Sequence, residues 1–138
     1  MKLLTEVVRT SRSIIHLDLS WNSIVPLHMK GLLEILAKNR RLQYLNLSWN
    51  SIIDQNSSEK QQDKILNYLS RLIKFNMKLG HVDLTCTGLT KYVIFELGRT
   101  FARSRALLAV HLSGNPGLSD DNKTYLNKRI KCRPNEDM

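Results

Sequence analysis

One pattern of apolar residues recurs four times along the chain and limits the possible fold more than any other feature. The frame L-x-x-L-x-L-x-x-N-x-L begins at Ile14, Leu42, Leu79 and Leu107. Between the copies, the spacing of apolar residues changes from two to about 3.6, as expected where a strand is followed by a helix. The sequence therefore predicts repeating strand–helix units.

The asparagine of the frame falls at Asn22, Asn50 and Asn115, whereas the third copy has Thr87 there. Threonine has a shorter side chain and no amide, so the third copy departs from the frame.

The second unit carries an insertion. The step from Leu42 to Leu79 is 37 residues, whereas the other two steps are 28. The excess falls in the polar segment 53–64, which we expect to form an exposed loop or a longer helix start, because insertions concentrate on exposed edges. Two interpretations stay open, a tolerated insertion and a loop that contacts a partner.

The units must stack, because one unit cannot bury its own apolar strand and helix residues; stacking predicts a solenoid. We expect a single domain over residues 1–138, with strands near 15–19, 43–47, 80–84 and 108–112. Ser119 and the two aspartates after it predict the start of a capping helix over 119–132. The chain begins in the helical half of a unit, so its N-terminal end is expected to continue or to be covered by another chain.

The frame and its length resemble the leucine-rich repeats of the ribonuclease-inhibitor-like class over roughly residues 3–130. This resemblance implies an α/β fold with parallel strands on a concave face and helices on a convex face. It also implies that Asn22, Asn50 and Asn115 satisfy backbone groups buried in the turn after each strand, and that the ladder of these hydrogen bonds is weaker or altered at Thr87. Ribonuclease inhibitor itself is acidic and rich in cysteine, unlike this chain. Repeats of similar appearance occur in tropomodulin, in Ran GTPase-activating protein, in nucleotide-binding immune receptors and in many cytoskeletal and ciliary proteins.

Residues that alternate with the frame leucines form columns across the predicted strands, whose neighbours lie about 4.8 Å apart. The polar members of the first two columns are the candidate partner-binding residues: His16, Tyr44 and His81 in the first, and Asp18, Asn46, Asp83 and His111 in the second. The face that they form is the predicted binding surface of an open sheet. A solvated sheet face that binds nothing is the alternative.

Metal binding and catalysis are not predicted. His81, Asp83 and His111 offer two imidazoles and a carboxylate, but side chains on stacked strands run parallel and do not converge on one centre. Ser113 lies close to His111 in sequence without a nucleophile elbow, and the chain has no phosphate loop or HExxH motif. We therefore expect neither a cofactor nor enzymatic activity.

Two tryptophans occupy the same position just after their strands. Trp21 and Trp49 are expected to stack at the rim of the sheet. They either shield the turns or form a paired aromatic anchor for a partner, the residue type that dominates binding energies.

Basic residues cluster near the ends of the predicted helices, in a chain with 21 Lys and Arg against 12 Asp and Glu and a net charge of +9. The candidate basic surface comprises Arg40, Arg41, Arg71, Lys74, Arg103 and Arg105. Cations at helix C-termini gain about 0.3–1 kcal/mol each, which explains their positions but not their excess. An acidic protein surface is the first interpretation. Nucleic acid is the second, because neither interleaved aromatic residues nor a nucleic-acid-binding motif accompanies the charge.

The sequence thus favours a non-enzymatic protein-interaction or scaffold module in a larger cytoplasmic assembly, cytoskeletal or ciliary, because cytoskeletal filaments are acidic. With two cysteines and no stretch of about 20 apolar residues, it predicts a reducing compartment and no membrane contact. The alternatives are a basic subunit of a nucleic-acid-containing complex and a regulatory or sensor segment of a larger multidomain protein.

Overall fold

The computed structural model describes residues 2–11 and 13–120, in which helices and strands alternate. The elements are α1 (Lys2–Thr10), β1 (His16–Asp18), α2 (Pro26–Leu36), β2 (Tyr44–Asn46), α3 (Glu59–Phe75), β3 (His81–Asp83), α4 (Lys91–Arg103) and β4 (Ala109–His111). Each strand lies inside the segment predicted for it. Beyond Asp120, the predicted capping helix lies outside the described residues. No helix within residues 2–11 and 13–120 is long and apolar enough to cross a bilayer.

The strands form one parallel sheet in the order β1-β2-β3-β4. Its register places the two predicted columns across the sheet, one running from His16 to Ala109 and the other from Asp18 to His111. The predicted α/β class with a parallel sheet is confirmed. The concave and convex faces of a solenoid stay a prediction.

The core lies between the sheet and the helices. The central residues of the two inner strands, Leu45 and Val82, are fully buried, and so are the flanking frame residues Leu47 and Leu84. From the other side, helices α2, α3 and α4 pack in sequence order and contribute Leu32, Leu36, Leu69, Leu72 and Leu97. Each buried leucine stabilises the fold by about 1.5–3 kcal/mol, so the apolar frame of the sequence accounts for most of this core.

Two of the frame asparagines, Asn50 and Asn115, join their turns to the unit before them. Asn50 is 2% exposed; its amide nitrogen donates to the carbonyls of Leu19 and Leu47, and its amide oxygen accepts the N–H of Ile24. Asn115 makes the equivalent bonds to Leu84 and Leu89. These amides satisfy backbone groups that water cannot reach.

The ladder changes at Thr87, as the sequence predicts. The hydroxyl of Thr87 donates to the carbonyl of Leu84 at 2.6 Å, which satisfies a group within its own unit. The link to the preceding unit runs instead through the backbone, because the N–H of Ile52 binds the Thr87 carbonyl at 3.1 Å. The shorter side chain therefore leaves this contact to the main chain.

A second set of polar side chains joins the units where the helices end. The amide nitrogen of Asn76 donates to the carbonyl of Asn39, and that of Asn39 to the carbonyl of Ile14. In the fourth unit, the hydroxyl of Ser104 donates to the carbonyl of Ile73. The corners between helix and strand are thus held across units as well as within them.

The insertion is divided between a loop and the first turns of α3. The helix begins after Ser58, whose side chain forms a capping box with Gln61. Gln62 is buried and accepts a hydrogen bond from the hydroxyl of Thr90, at the start of α4. The helical part of 53–64 therefore packs against α4, whereas a partner contact by the loop stays a prediction.

One further contact of the insertion joins its helical part to a tyrosine of α4. The phenol of Tyr92 donates a hydrogen bond to Asp63, which raises the pKa of Tyr92 to about 12, and burial and the nearby carboxylates of Asp63, Glu96 and Glu59 add to this shift. A phenol whose pKa is raised on folding stabilises the fold below the pKa of the unfolded chain, about 10. That contribution is lost as the pH rises towards about 12.

When the folded chain is titrated with alkali and followed by its tyrosinate absorbance, we expect the phenol of Tyr92 to ionise near pH 12. Tyr92→Phe removes this hydroxyl, so the difference between the two titration curves should have its midpoint there. A difference curve with its midpoint near pH 10, the ordinary tyrosine value, would show that the bond to Asp63 does not hold the proton.

Candidate functional site

The exposed face of the sheet carries a row of rings. We call this surface, made of His16, Asp18, Tyr44, Asn46, His81, Asp83 and His111, the strand face. The ring of Tyr44 lies 5.9 Å from that of His16 and 4.8 Å from that of His81, measured between centroids. The ring of His81 stacks in turn on that of His111, at 4.7 Å. The row is therefore continuous across all four strands.

The row forms because the parallel register places the first-column residues side by side. It differs from the predicted column at its end, because Ala109 has no ring and His81 turns instead to His111 of the second column. A row of flat rings on a rigid sheet offers contact area at a low entropic cost, which suits the recognition of another protein.

The acids and the amide of the strand face also fix the turns after their strands. An oxygen of Asp18 accepts the N–H of Ser20 at 2.8 Å, and Asn46 and Asp83 do the same two residues further along their own strands. Bonds from the side chain and the backbone of Ser20 lower the pKa of Asp18, with Asn46 contributing less and burial opposing the shift. These side chains thus have a structural role in addition to the predicted binding role.

The predicted absence of a metal site rested on the parallel arrangement of His81, Asp83 and His111. The two imidazoles stack with an angle of 28° between their planes, so they lie alongside each other. Within residues 2–11 and 13–120, no group of three His, Cys, Asp or Glu side chains could hold a metal ion.

Trp21 and Trp49 stack at the rim, as predicted, with centroids 4.2 Å apart and planes 10° from parallel. Both stay partly open to solvent, with 69% and 47% of their surface exposed. Their roles as a shield for the turns or as an anchor for a partner stay predictions.

Sequence reasoning missed the left-handed backbone at this position of every unit. Trp21, Trp49 and Cys86 have φ values of 59°, 57° and 52°, and Gly114 follows at 68°. The glycine of the fourth unit was the available signal, because glycine is the usual residue at positive φ. A Cβ at Gly114 would also meet the Sγ of Cys86, so that side chain would have to turn away.

The six candidate basic residues lie on the surface near the ends of α2, α3 and α4, and all are exposed. The two ion pairs of the described part of the chain, Arg9 with Glu6 and Arg99 with Glu96, involve none of them. None of the six therefore has an acidic partner at ion-pair distance in residues 2–11 and 13–120.

An apolar shelf beside the ring row was also missed. A shallow depression of about 430 Å³ lies between Tyr44, His81, Met77, Lys78 and Leu108. Met77 is 61% exposed and Leu108 is 85% exposed. The available signal was their position, because both residues are apolar yet lie outside the frame positions that form the core.

Solved structures share this fold. The C-terminal domain of tropomodulin from Caenorhabditis elegans matches with a TM-score of 0.58 and 10% identity, over 94% of this chain and 90% of that one. Leiomodin-1 actin-binding site 2 matches with a TM-score of 0.67 and 14% identity, over 92% of this chain and 70% of that one. No family model and no curated protein matches the sequence.

These structures correct the predicted family. The assignment to the leucine-rich repeats of the ribonuclease-inhibitor-like class is wrong, because the structural neighbours are tropomodulin and leiomodin domains. The repeated frame consists of the buried residues of a short strand and the asparagine in the turn that follows it. The frame alone therefore did not identify the family correctly. At these identities, the match shows the fold alone.

Proposed function

We propose that this chain is a non-enzymatic protein-interaction module of the cytoskeleton and that its partner is the actin filament. The observation that carries the proposal is the fold shared with leiomodin-1 actin-binding site 2 over 92% of this chain. The net charge of +9 agrees with it, because actin filaments are acidic.

The strand face is the surface that we propose for the contact. Its ring row is exposed or half-buried, and it adjoins the exposed apolar side chains of Met77 and Leu108. Aromatic groups beside apolar surface form the centre of most protein interfaces, where a few side chains carry most of the binding energy. Tyr44 lies at the middle of the row, between His16 and His81.

Co-sedimentation with actin filaments tests the proposal. We expect the wild-type chain to pellet with filaments and the double variant Tyr44→Ala/His81→Ala to bind about tenfold more weakly, a loss of about 1.4 kcal/mol. Both residues lie outside the fully buried core, so circular dichroism should show an unchanged fold. Arg71→Ala, an exposed site on α3, is the control and should bind like the wild type.

Three outcomes would contradict the proposal. A wild-type chain that does not pellet with filaments would refute actin as the partner. Equal binding by the double variant would refute the strand face as the contact. Binding to DNA that falls steeply with salt, without filament binding, would favour the alternative of a nucleic-acid-associated subunit, for which the unpaired basic residues are the supporting observation.

A further inference from the structure

A cleft opens where α1 and α2 end, and it is lined by residues outside the strand face. Its volume is about 570 Å³, within the range of sites that hold small ligands or a few side chains. The lining residues are Val8, Arg9, Ser11, Ile35, Lys38, Asn39, Arg40 and Arg41.

The wall of this cleft is strongly basic. Lys38, Arg40 and Arg41 line it, and none of them takes part in the ion pairs found within residues 2–11 and 13–120. Arg9 differs, because its guanidinium pairs with Glu6 at 2.6 Å. Three basic residues thus line the cleft without an ion-pair partner in the described part of the chain.

The structure limits the helix-dipole explanation to at most one of these three charges, that of Lys38, which directly follows the C-cap residue Ala37. The last turn of α2 contains no basic residue, and Lys38, Arg40 and Arg41 all follow the helix end at Leu36. The stabilisation of cations by a helix C-terminus is confined to about the last turn. Their grouping therefore needs another explanation, and binding of a negatively charged group supplies one.

The floor of the cleft is apolar. Val8 is 3% exposed and belongs to the hydrophobic core, and Ile35 packs against that core while remaining partly exposed. An apolar floor beneath a basic wall fits a ligand that combines negative charge with an aliphatic or aromatic side chain.

The backbone that carries the basic residues is held in place. The side-chain oxygen of Asn39 accepts the N–H of Arg41 at 2.8 Å and that of Leu42 at 3.1 Å. Asn39 is held in turn, because its own carbonyl accepts a hydrogen bond from Asn76 at 2.8 Å. A pre-ordered loop lowers the entropic cost of binding.

We propose that this cleft binds an acidic peptide segment of a partner protein, one that places an apolar side chain over Val8 and Ile35 while its carboxylates contact Lys38, Arg40 and Arg41. Arginine binds carboxylates through two parallel hydrogen bonds, which gives such contacts direction as well as charge. The cleft fits single-stranded nucleic acid less well, because its described lining includes no aromatic ring for base stacking. The site is separate from the strand face and does not depend on binding to actin.

Fluorescence anisotropy with a labelled hexapeptide tests the proposal. The probe carries a Leu-Phe pair flanked by two glutamates on each side, and it should bind the wild-type chain saturably. The double variant Lys38→Glu/Arg41→Glu should weaken binding at least tenfold. The matched control Arg103→Glu/Arg105→Glu makes the same change in net charge at the C-terminal end of α4, outside the cleft. It should change the affinity less than about threefold, because only long-range attraction is altered.

The apolar half of the proposal has its own variants. Replacing Leu-Phe in the probe with Gly-Gly, or Ile35 in the chain with Ala, should each weaken binding several-fold, with the fold of Ile35→Ala checked by its thermal melting. If the Gly-Gly probe binds as tightly as the original, or if both charge-reversal variants lose affinity equally, the cleft is not the site. A single-stranded oligothymidylate of equal charge that binds more tightly than the peptide would also overturn the proposal.

Discussion

Leu47→Asp is expected to unfold the chain. Leu47 has no exposed surface and lies just after the inner strand β2, between the sheet and the helices. Losing a buried leucine costs about 2–5 kcal/mol, and burying a carboxylate without a partner costs several more. The sum is comparable to the whole stability of a typical domain, about 5–15 kcal/mol. Far-ultraviolet circular dichroism at room temperature should show the loss of helix, and no cooperative thermal transition should remain.

Leu27→Asp is the matched control for this prediction. Leu27 is 82% exposed in the first turn of α2, where a carboxylate also interacts favourably with the helix dipole. Its free energy of unfolding should stay within about 0.5 kcal/mol of the wild type. If Leu47→Asp melts cooperatively near the wild-type temperature, the frame leucines do not form the core described above.

Asn50→Ala is expected to cause the second-largest loss, about 3 kcal/mol of unfolding free energy. The alanine would leave the N–H of Ile24 and the carbonyls of Leu19 and Leu47 without the partner that Asn50 provides. Each buried group left unpaired costs about 1–3 kcal/mol, partly offset where the structure relaxes. Urea denaturation measures the loss as a lower midpoint at an unchanged slope.

Asn22→Ala provides the comparison, because Asn22 has the same place in the first frame. Its amide is exposed and donates to the carbonyl of Ser20, within its own turn. We expect a loss of no more than about 0.5 kcal/mol. Equal losses at Asn22 and Asn50 would mean that the contacts to the preceding unit contribute nothing beyond the local turn.

The features that depend on spacing alone could be predicted from the sequence. A two-residue period places alternate strand residues on one face, so the spacing was enough to assign the columns that begin at His16 and Asp18. The stacking of Trp21 on Trp49 followed from their equal positions in two consecutive units.

The features that were missed depend on partners far away in the chain. Gln62 and Asp63 look like solvated residues of a polar insertion, but they bind Thr90 and Tyr92, 28 and 29 residues further on. The stacking of His81 on His111 depends on side-chain torsions that no spacing rule fixes. The predicted family was also wrong, because the repeated pattern of apolar residues describes positions within one unit and says little about how successive units pack.

Five side chains form hydrogen bonds to the backbone of a neighbouring unit, and in every case that unit is the one before their own. They belong to Asn39, Asn50, Asn76, Ser104 and Asn115. Shortening the protein from its C-terminal side would strand buried peptide groups in the unit left behind. Trimming from the N-terminal side would free amide side chains, which can turn towards water at little cost, but it would also remove the Ile15 carbonyl that accepts the N–H groups of Gln43 and Tyr44. As far as these side-chain bonds are concerned, a unit therefore depends more on the unit that follows it than on the unit that precedes it.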